Sequence, residues 1–173
     1  MHKPLLALLA MALLVAGCGQ SRWTEYRSNK GGYSVEMPHS PKESSDKVPT
    51  AVGTITFHMA LSEGRTWGYA SAYADFPDWA VDKKDAKELL RGARDGALRN
   101  IGGKLEKESW IELEGHPGIE LVFSAPSKKI KARARLYLVK NRLYQVLGGQ
   151  TEDAYDEAEL NRFLDSFRLR PRL

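Results

Sequence analysis

Hydrophobic and polar positions alternate with a period of two over most of this chain, a pattern that predicts half-buried strands. Over residues 54–61, Ile55, Phe57, Met59 and Leu61 point one way while Thr56 and His58 point the other. After a turn at Glu63-Gly64-Arg65, residues 66–76 carry Trp67, Tyr69 and Tyr73 on one face and Gly68, Ala70, Ala72 and Ala74 on the other. A face of such small side chains lets a helix approach closely, so this strand is expected to be central. Residues 23–27 and 33–37 read as a hairpin around Asn29-Lys30-Gly31-Gly32, where glycine tolerates positive φ. Pro38 and Pro41 end it, and the polar stretch 42–47 is expected to be a loop or a weak edge strand. Residues 104–113, 119–124, 130–139 and 143–148 predict four further strands. The turns Gly115-His116-Pro117-Gly118, Ala125-Pro126-Ser127 and Lys140-Asn141-Arg142 are short enough to make them antiparallel neighbours.

A helical period occurs twice. Leu89, Leu90, Ala93, Ala97 and Ile101 share a face at 3.6-residue spacing, with Asp82 as N-cap, Asp85 in the first turn and a stop at Gly102-Gly103. A second helix over residues 153–166, with Thr151 as cap candidate, presents Leu160, Phe163, Leu164 and Phe167. Pro171 ends the structure. This order predicts an α+β fold: an antiparallel β-sheet sandwiched by helices, following an N-terminal leader.

That leader changes the picture. His2 and Lys3 precede an apolar run over residues 5–15, roughly eleven residues and within the ~7–15 of a secretory signal. Leu14, Val15, Ala16 and Gly17 then lead into Cys18, the only cysteine. This looks like a bacterial lipobox, in which the residues before the cysteine are read by the signal peptidase and the cysteine is acylated. Ordinary secretory cleavage with Cys18 incidental and an uncleaved anchor are the alternatives. A spanning helix needs about 20 apolar residues, and this run gives way to Gly17, Gly19, Gln20 and Ser21. Each buried methylene of an acyl chain contributes about 0.8 kcal/mol; one chain binds marginally and two bind durably. The expected organisation is a signal peptide at 1–17, a lipidated cysteine and tether at 18–22, and one domain at 23–173. The expected location is the cell envelope, with the membrane as a partner through the acyl chains. Gly19, standing where an aspartate would retain the protein, favours the outer membrane in a diderm cell.

Composition fits a folded extracytoplasmic domain: 42% hydrophobic and 28% charged residues exclude a disordered chain. The net charge of +4 falls to +3 once Lys3 leaves with the leader, too little to suggest nucleic acid. With its one cysteine acylated, the domain has no disulfide and relies on packing.

Three constellations merit weighing. Lys129, Lys131, Arg133 and Arg135, with Lys128 beside them, form a row on the outward face of one strand at a spacing of about 6.6–6.8 Å, able to grip anionic lipid or an acidic partner. The competing reading is a salt-bridged surface, because Glu106, Glu108, Glu112 and Glu114 alternate on a neighbouring strand and Glu120 faces outward nearby. Trp67, Tyr69 and Tyr73, joined by Trp110, Tyr137 and Tyr144, could line a glycan or headgroup cleft, but core packing under the second helix with Phe163 and Phe167 is the stronger expectation. Catalytic chemistry has no clear signature. His39, His58 and His116 lie in no metal-ligand spacing, no nucleophile elbow precedes a helix, and Asp75 and Asp78 sit where capping acids sit. Gly31-Gly32, Gly102-Gly103 and Gly148-Gly149 read as turn glycines without a phosphate-loop pattern. No cofactor or metal is expected.

Tyr33-Ser-Val-Glu-Met-Pro38, the Gly115–Gly118 turn, the stretch Arg133–Tyr144 and Phe163-Leu-Asp-Ser-Phe167 together resemble bacterial lipoproteins with a PsbP-like (Mog-type) domain. The resemblance implies an antiparallel sheet sandwiched by helices and a non-catalytic role, since characterised relatives are accessory, binding or envelope proteins. It supplies no functional residues to carry over. The expected function is therefore an envelope lipoprotein acting as a non-catalytic binding or accessory module that binds or steadies something in the cell envelope, an envelope protein being one candidate partner. An anionic-lipid or glycan binder using Lys131, Arg133 and Arg135 is the second reading, and a hydrolase with a site assembled from distant residues the third.

Overall fold

The computed structural model describes residues 23–50, 52–83 and 85–171. Leu14, Val15, Ala16, Gly17 and Cys18 lie outside the described residues. Among the described residues, ten strands form two antiparallel sheets. The first joins β1 (Thr24–Ser28), β2 (Tyr33–Met37) and β10 (Arg168–Leu169) in the order β1-β2-β10. The second holds β3 (Lys42–Thr50), β4 (Gly53–Glu63), β5 (Trp67–Asp75), β6 (Lys104–Leu113), β7 (His116–Ala125), β8 (Ile130–Val139) and β9 (Arg142–Thr151), in the order β3-β4-β5-β9-β8-β7-β6. The described residues also form the helices α1 (Asp78–Lys83), α2 (Ala86–Ile101) and α3 (Glu157–Asp165).

Strand residues outnumber helical ones by about two to one. The expected α+β class, one sheet sandwiched by helices, is thus corrected to a mostly β fold of two antiparallel sheets with few helices. The reason lies in the N-terminal hairpin. Tyr33, Val35 and Met37 of β2 are all buried, and this apolar face packs over the large sheet and recruits β10. A small sheet and the nine-residue α3 together occupy the side where a helical layer was expected.

The large sheet consequently has two cores, one on each face. On one side, Leu89 and Leu90 of α2 pack on Ile119, Leu121, Phe123, Ala132, Ala134, Leu136 and Leu143. Burying each large member contributes about 1.5–3 kcal/mol. On the other, Tyr69, Tyr73, Tyr137, Tyr144 and Val146 meet Tyr33, Val35, Met37, Leu160, Phe163, Leu164 and Phe167. Alternation along the strands sorts these sets: Ala132, Ala134, Leu136 and Leu138 face α2, while Arg133, Arg135 and Tyr137 face α3.

Several boundaries move. Residues 42–47 belong to a full-length edge strand, paired with β4 from Lys42↔Leu61 to Thr50↔Gly53. Asp82, the expected N-cap, lies inside the separate helix α1, and Asp85, expected in the first turn, is instead the N-cap of α2, its backbone carbonyl accepting from the amides of Glu88 and Leu89. Gly102 closes α2 in the left-handed conformation, φ 65°, as expected from the glycine pair. Asp156, rather than Thr151, caps α3, its Oδ1 accepting from the amides of Ala158 at 2.8 Å and Glu159 at 3.2 Å. Gly148 and Gly149 lie within β9 and not in a turn.

Candidate functional site

The cationic row on β8 is tied to acids. Glu120 of β7 stands between two guanidiniums, its Oε1 accepting from Arg133 at 2.7 Å and its Oε2 from Arg135 at 2.6 Å. From α3, Glu157 reaches Arg133 at 3.3 Å, Asn161 accepts from the same guanidinium, and Asp165 pairs with Arg135 at 2.8 Å. Burial alone would raise the Glu120 carboxyl, but the hydrogen bonds from Arg135 and Arg133 outweigh it and hold it below the ordinary value. Lys131 is exposed, with Nζ 5.4 Å from the Tyr155 ring centre. Lys129 is not on the strand: it caps a short 3-10 turn at φ 52°.

Of the acids expected from β6, Glu106 lies close enough to Tyr155 to add to the rise that burial gives its hydroxyl, whereas Glu108 points the other way. Glu108 opposes Leu121, and Trp110 opposes Ile119, so both face α2. Glu108 accepts from Arg94 of α2, and Trp110 carries Lys87 and Arg91 over its ring at 5.2 and 5.3 Å. Trp110 is thus apart from the other aromatics. Tyr69, Tyr73, Tyr137 and Tyr144 join Phe163 and Phe167 as core, with Tyr137 stacked on Phe167 at 5.9 Å. His58 stacks on Tyr73 at 4.7 Å and meets Ser45 at 2.7 Å, and His39 lies against Trp67.

On the α2 side, the helix packs against β7 and β8 and leaves the β3-β4-β5-β9 half of the sheet less covered. A cleft of about 610 Å³ opens there, within the 300–1,000 Å³ of small-molecule sites. Its floor is Ile55, Phe57 and Met59 of β4, Ala72 of β5 and Leu143 of β9. Val48 and Val52, flanking the β3–β4 turn, line it from the sheet edge. The helical wall is a stripe, Glu88, Gly92, Gly96 and Arg99, at successive turns of α2. A Cβ at Gly92 would meet nothing within 4 Å, and one at Gly96 only Arg99, at 4.0 Å. Glycine inside a helix costs about 1 kcal/mol relative to alanine, and no close backbone contact explains either glycine here.

No protein-family model matches the sequence, and no curated protein does. Among solved structures, the chain superposes on the solution structure of cyanobacterial PsbP (CyanoP) from Synechocystis sp. PCC 6803 with a TM-score of 0.59. The match has 14% identity and covers 88% of this chain and 95% of that one. The fold is PsbP-like. A second match, PA94 from Pseudomonas aeruginosa, has a TM-score of 0.36 at 15% identity, covering 76% of this chain and 84% of that one, and bears no argument.

Within the PsbP-like fold, the residues expected to bear function separate. Arg133 and Arg135 share an ion-paired cluster with β7 and α3, Lys131 lies beyond it on the same face, and Lys129 sits in a turn. The cleft lies on the opposite face of the sheet and was not anticipated from sequence. Ala93 and Ala97 gave the helix face away, and the open space beside it is a property of two neighbouring elements at once.

Proposed function

We propose that this chain is a membrane-anchored envelope lipoprotein whose PsbP-like domain is a non-catalytic binding or accessory module. The observation that carries the reading is the lipobox Leu14-Val15-Ala16-Gly17-Cys18, five residues ahead of Trp23, where the described domain starts. A tether this short keeps the domain beside the bilayer. No helix among the described residues is long and apolar enough to cross a membrane, so the acyl chains would be the anchor. The PsbP-like fold and the accessory roles that the sequence resemblance implies support the second half of the reading. The acids around Arg133 and Arg135 favour it over an anion grip on that strand face, because cross-strand pairs neutralise the row.

The test is metabolic labelling with palmitate in the native host or another bacterium. Label on the wild type and none on Cys18→Ser, with the variant released from the membrane fraction, is the expected result. An unlabelled wild type that does not float with membranes would end the anchoring claim. Crosslinking in intact cells, followed by purification, should retain an envelope protein beside the wild type, and repeated recovery of the chain alone would remove the accessory role.

A further inference from the structure

We propose that the domain rests on the bilayer through the corner built from Trp23 and Trp67, whose rings enter the head-group zone of zwitterionic phospholipid, and that it holds the α1 end away from the membrane. The inference deepens the lipoprotein reading and rests on it.

The reach of the tether selects the corner. Five Cα–Cα steps separate Cys18 from Trp23, so an acylated Cys18 keeps the Trp23 Cα within about 18 Å. Trp23 packs on Tyr69, near the start of β5, at 5.3 Å. The turn that follows β1 meets Arg142, which pairs with Asp75 at the end of β5, so β1 and β5 run the same way from the tethered corner. From Tyr69 to Asp75 the strand rises about 20 Å. A pose with the Asp75 end on the membrane would therefore lift Trp23 by at least about 20 Å, more than a fully extended tether spans.

The corner also suits the membrane surface chemically. Trp23 and Trp67 are both half-buried; Trp67 lies 5.5 Å from Tyr69 and 5.7 Å from His39, and the Arg162 guanidinium covers Trp23 at 4.8 Å. Indole joins an apolar body to one N–H donor and concentrates at the membrane–water interface. The β4–β5 turn that closes on Trp67, Glu63-Gly64-Arg65-Thr66, adds one acid and one base, so the contact is aromatic and needs no anionic lipid. Trp79 stands at the opposite end, 51% exposed, where Asn141 donates to the Asp78 carboxylate at 3.0 Å and to the Phe76 carbonyl at 3.2 Å.

The four tryptophans give the readout. The acylated full chain, labelled with 5-fluorotryptophan, is held in phosphatidylcholine nanodiscs whose head groups carry a nitroxide, with nitroxide-free discs as the blank. Trp79→Phe and Trp110→Phe, both at exposed positions, assign two of the fluorine lines and leave the Trp23 and Trp67 pair. That pair should broaden at least about fivefold more than the Trp79 line, because about 26 Å of strand lies between Trp67 and the Asp75 end and the effect falls with the sixth power of distance. Broadening of the Trp79 line equal to or above that of the pair, or an unbroadened pair in an acylated, disc-bound chain, would overturn the proposal and leave the anchor standing. A chain that lacks the acyl mass and elutes apart from the discs would end the anchor and the proposal together, so the two failures are distinguishable.

Discussion

Arg142 and Asp75 meet through two parallel hydrogen bonds, Nε to Oδ1 and Nη2 to Oδ2, each 2.6 Å long. The remaining arm, Nη1, donates to the carbonyls of Lys30 at 2.8 Å and Gly31 at 2.9 Å, and the guanidinium lies 4.5 Å from the Tyr73 ring centre. One side chain on β9 therefore ties the turn of the small sheet to the large one. Tyr144 adds a hydroxyl donated to the Gly31 carbonyl at 2.7 Å.

The two partners should not be equivalent. Arg142→Met takes the guanidinium away from the Lys30 carbonyl and from Asp75, while Gly31 keeps the Tyr144 hydroxyl, and is expected to cost about 2–4 kcal/mol. Asp75→Asn keeps the guanidinium and its carbonyl contacts, and half of the Asp75 side chain faces solvent, so about 1 kcal/mol is expected. Urea denaturation of both variants checks this. Equal losses would mean that the ion pair, and not the bridge to the turn, carries the stability.

Glu120 sets an acid limit. Its folded value lies below the ordinary 4.5, so its contribution is complete above that pH and is lost as pH falls through the depressed folded value. Stability of the wild type should decline on acidification below about pH 4.5, and Glu120→Gln should be less stable near neutrality yet flatter over that acid window. Thermal melts across the range measure both. A parallel decline in wild type and variant would remove Glu120 as the cause.

Tyr33 contributes to the alkaline limit, alongside Tyr26 and Tyr69, whose hydroxyls burial also raises. Burial pushes the Tyr33 hydroxyl up to about 12, with the hydrogen bond shared with Ser71 at 2.9 Å offsetting part of the rise. A raised folded value means that stability is complete below the ordinary 10 and is lost as pH climbs through 12. Tyr33→Phe should unfold at higher pH than the wild type, as read by circular dichroism. Coincident alkaline transitions would place the limit at another tyrosine.

Glycine-to-alanine changes should differ in sign by position. A Cβ at Gly148 would stand 2.7 Å from Leu160 and 3.0 Å from Tyr69, so Gly148→Ala is expected to cost about 1–3 kcal/mol. Gly92→Ala and Gly96→Ala meet open space in a helix and should each stabilise by about 0.4–1 kcal/mol. Destabilisation by either helical change would mean that α2 lies closer to the sheet than described.

The strands were legible because period-two alternation survives wherever a face is buried, as in Ala132, Ala134, Leu136 and Leu138. α2 and α3 were legible from their apolar stripes, whereas the short α1 was not. The second sheet was not, because the five residues Tyr33–Met37 do not announce which surface their apolar face will cover. β3 was half-seen: its polar sequence, from Lys42 to Lys47, fits an edge, and only pairing with β4 makes it a strand. Of the acids expected to neutralise the β8 row, Glu120 was placed correctly and Glu108 was not, for a related reason. Register through β7 decides which face Glu108 shares, and a one-position difference sends a side chain to the other side of the sheet. The aromatic core was read correctly for Tyr69, Tyr73, Tyr137 and Tyr144, and incorrectly for Trp110, on the same register grounds.

Among the described residues, the large sheet ends in β3 on one margin and β6 on the other, with no described strand beyond either. Such margins invite another chain to add itself and propagate a fibre. Here Lys42, Glu43, Asp46, Lys47 and Pro49 make one margin charged and interrupted, and the irregularity between Leu105 and Lys107 bends the other out of line. A sheet of seven strands with both margins guarded in this way can be crowded against copies of itself and stay separate.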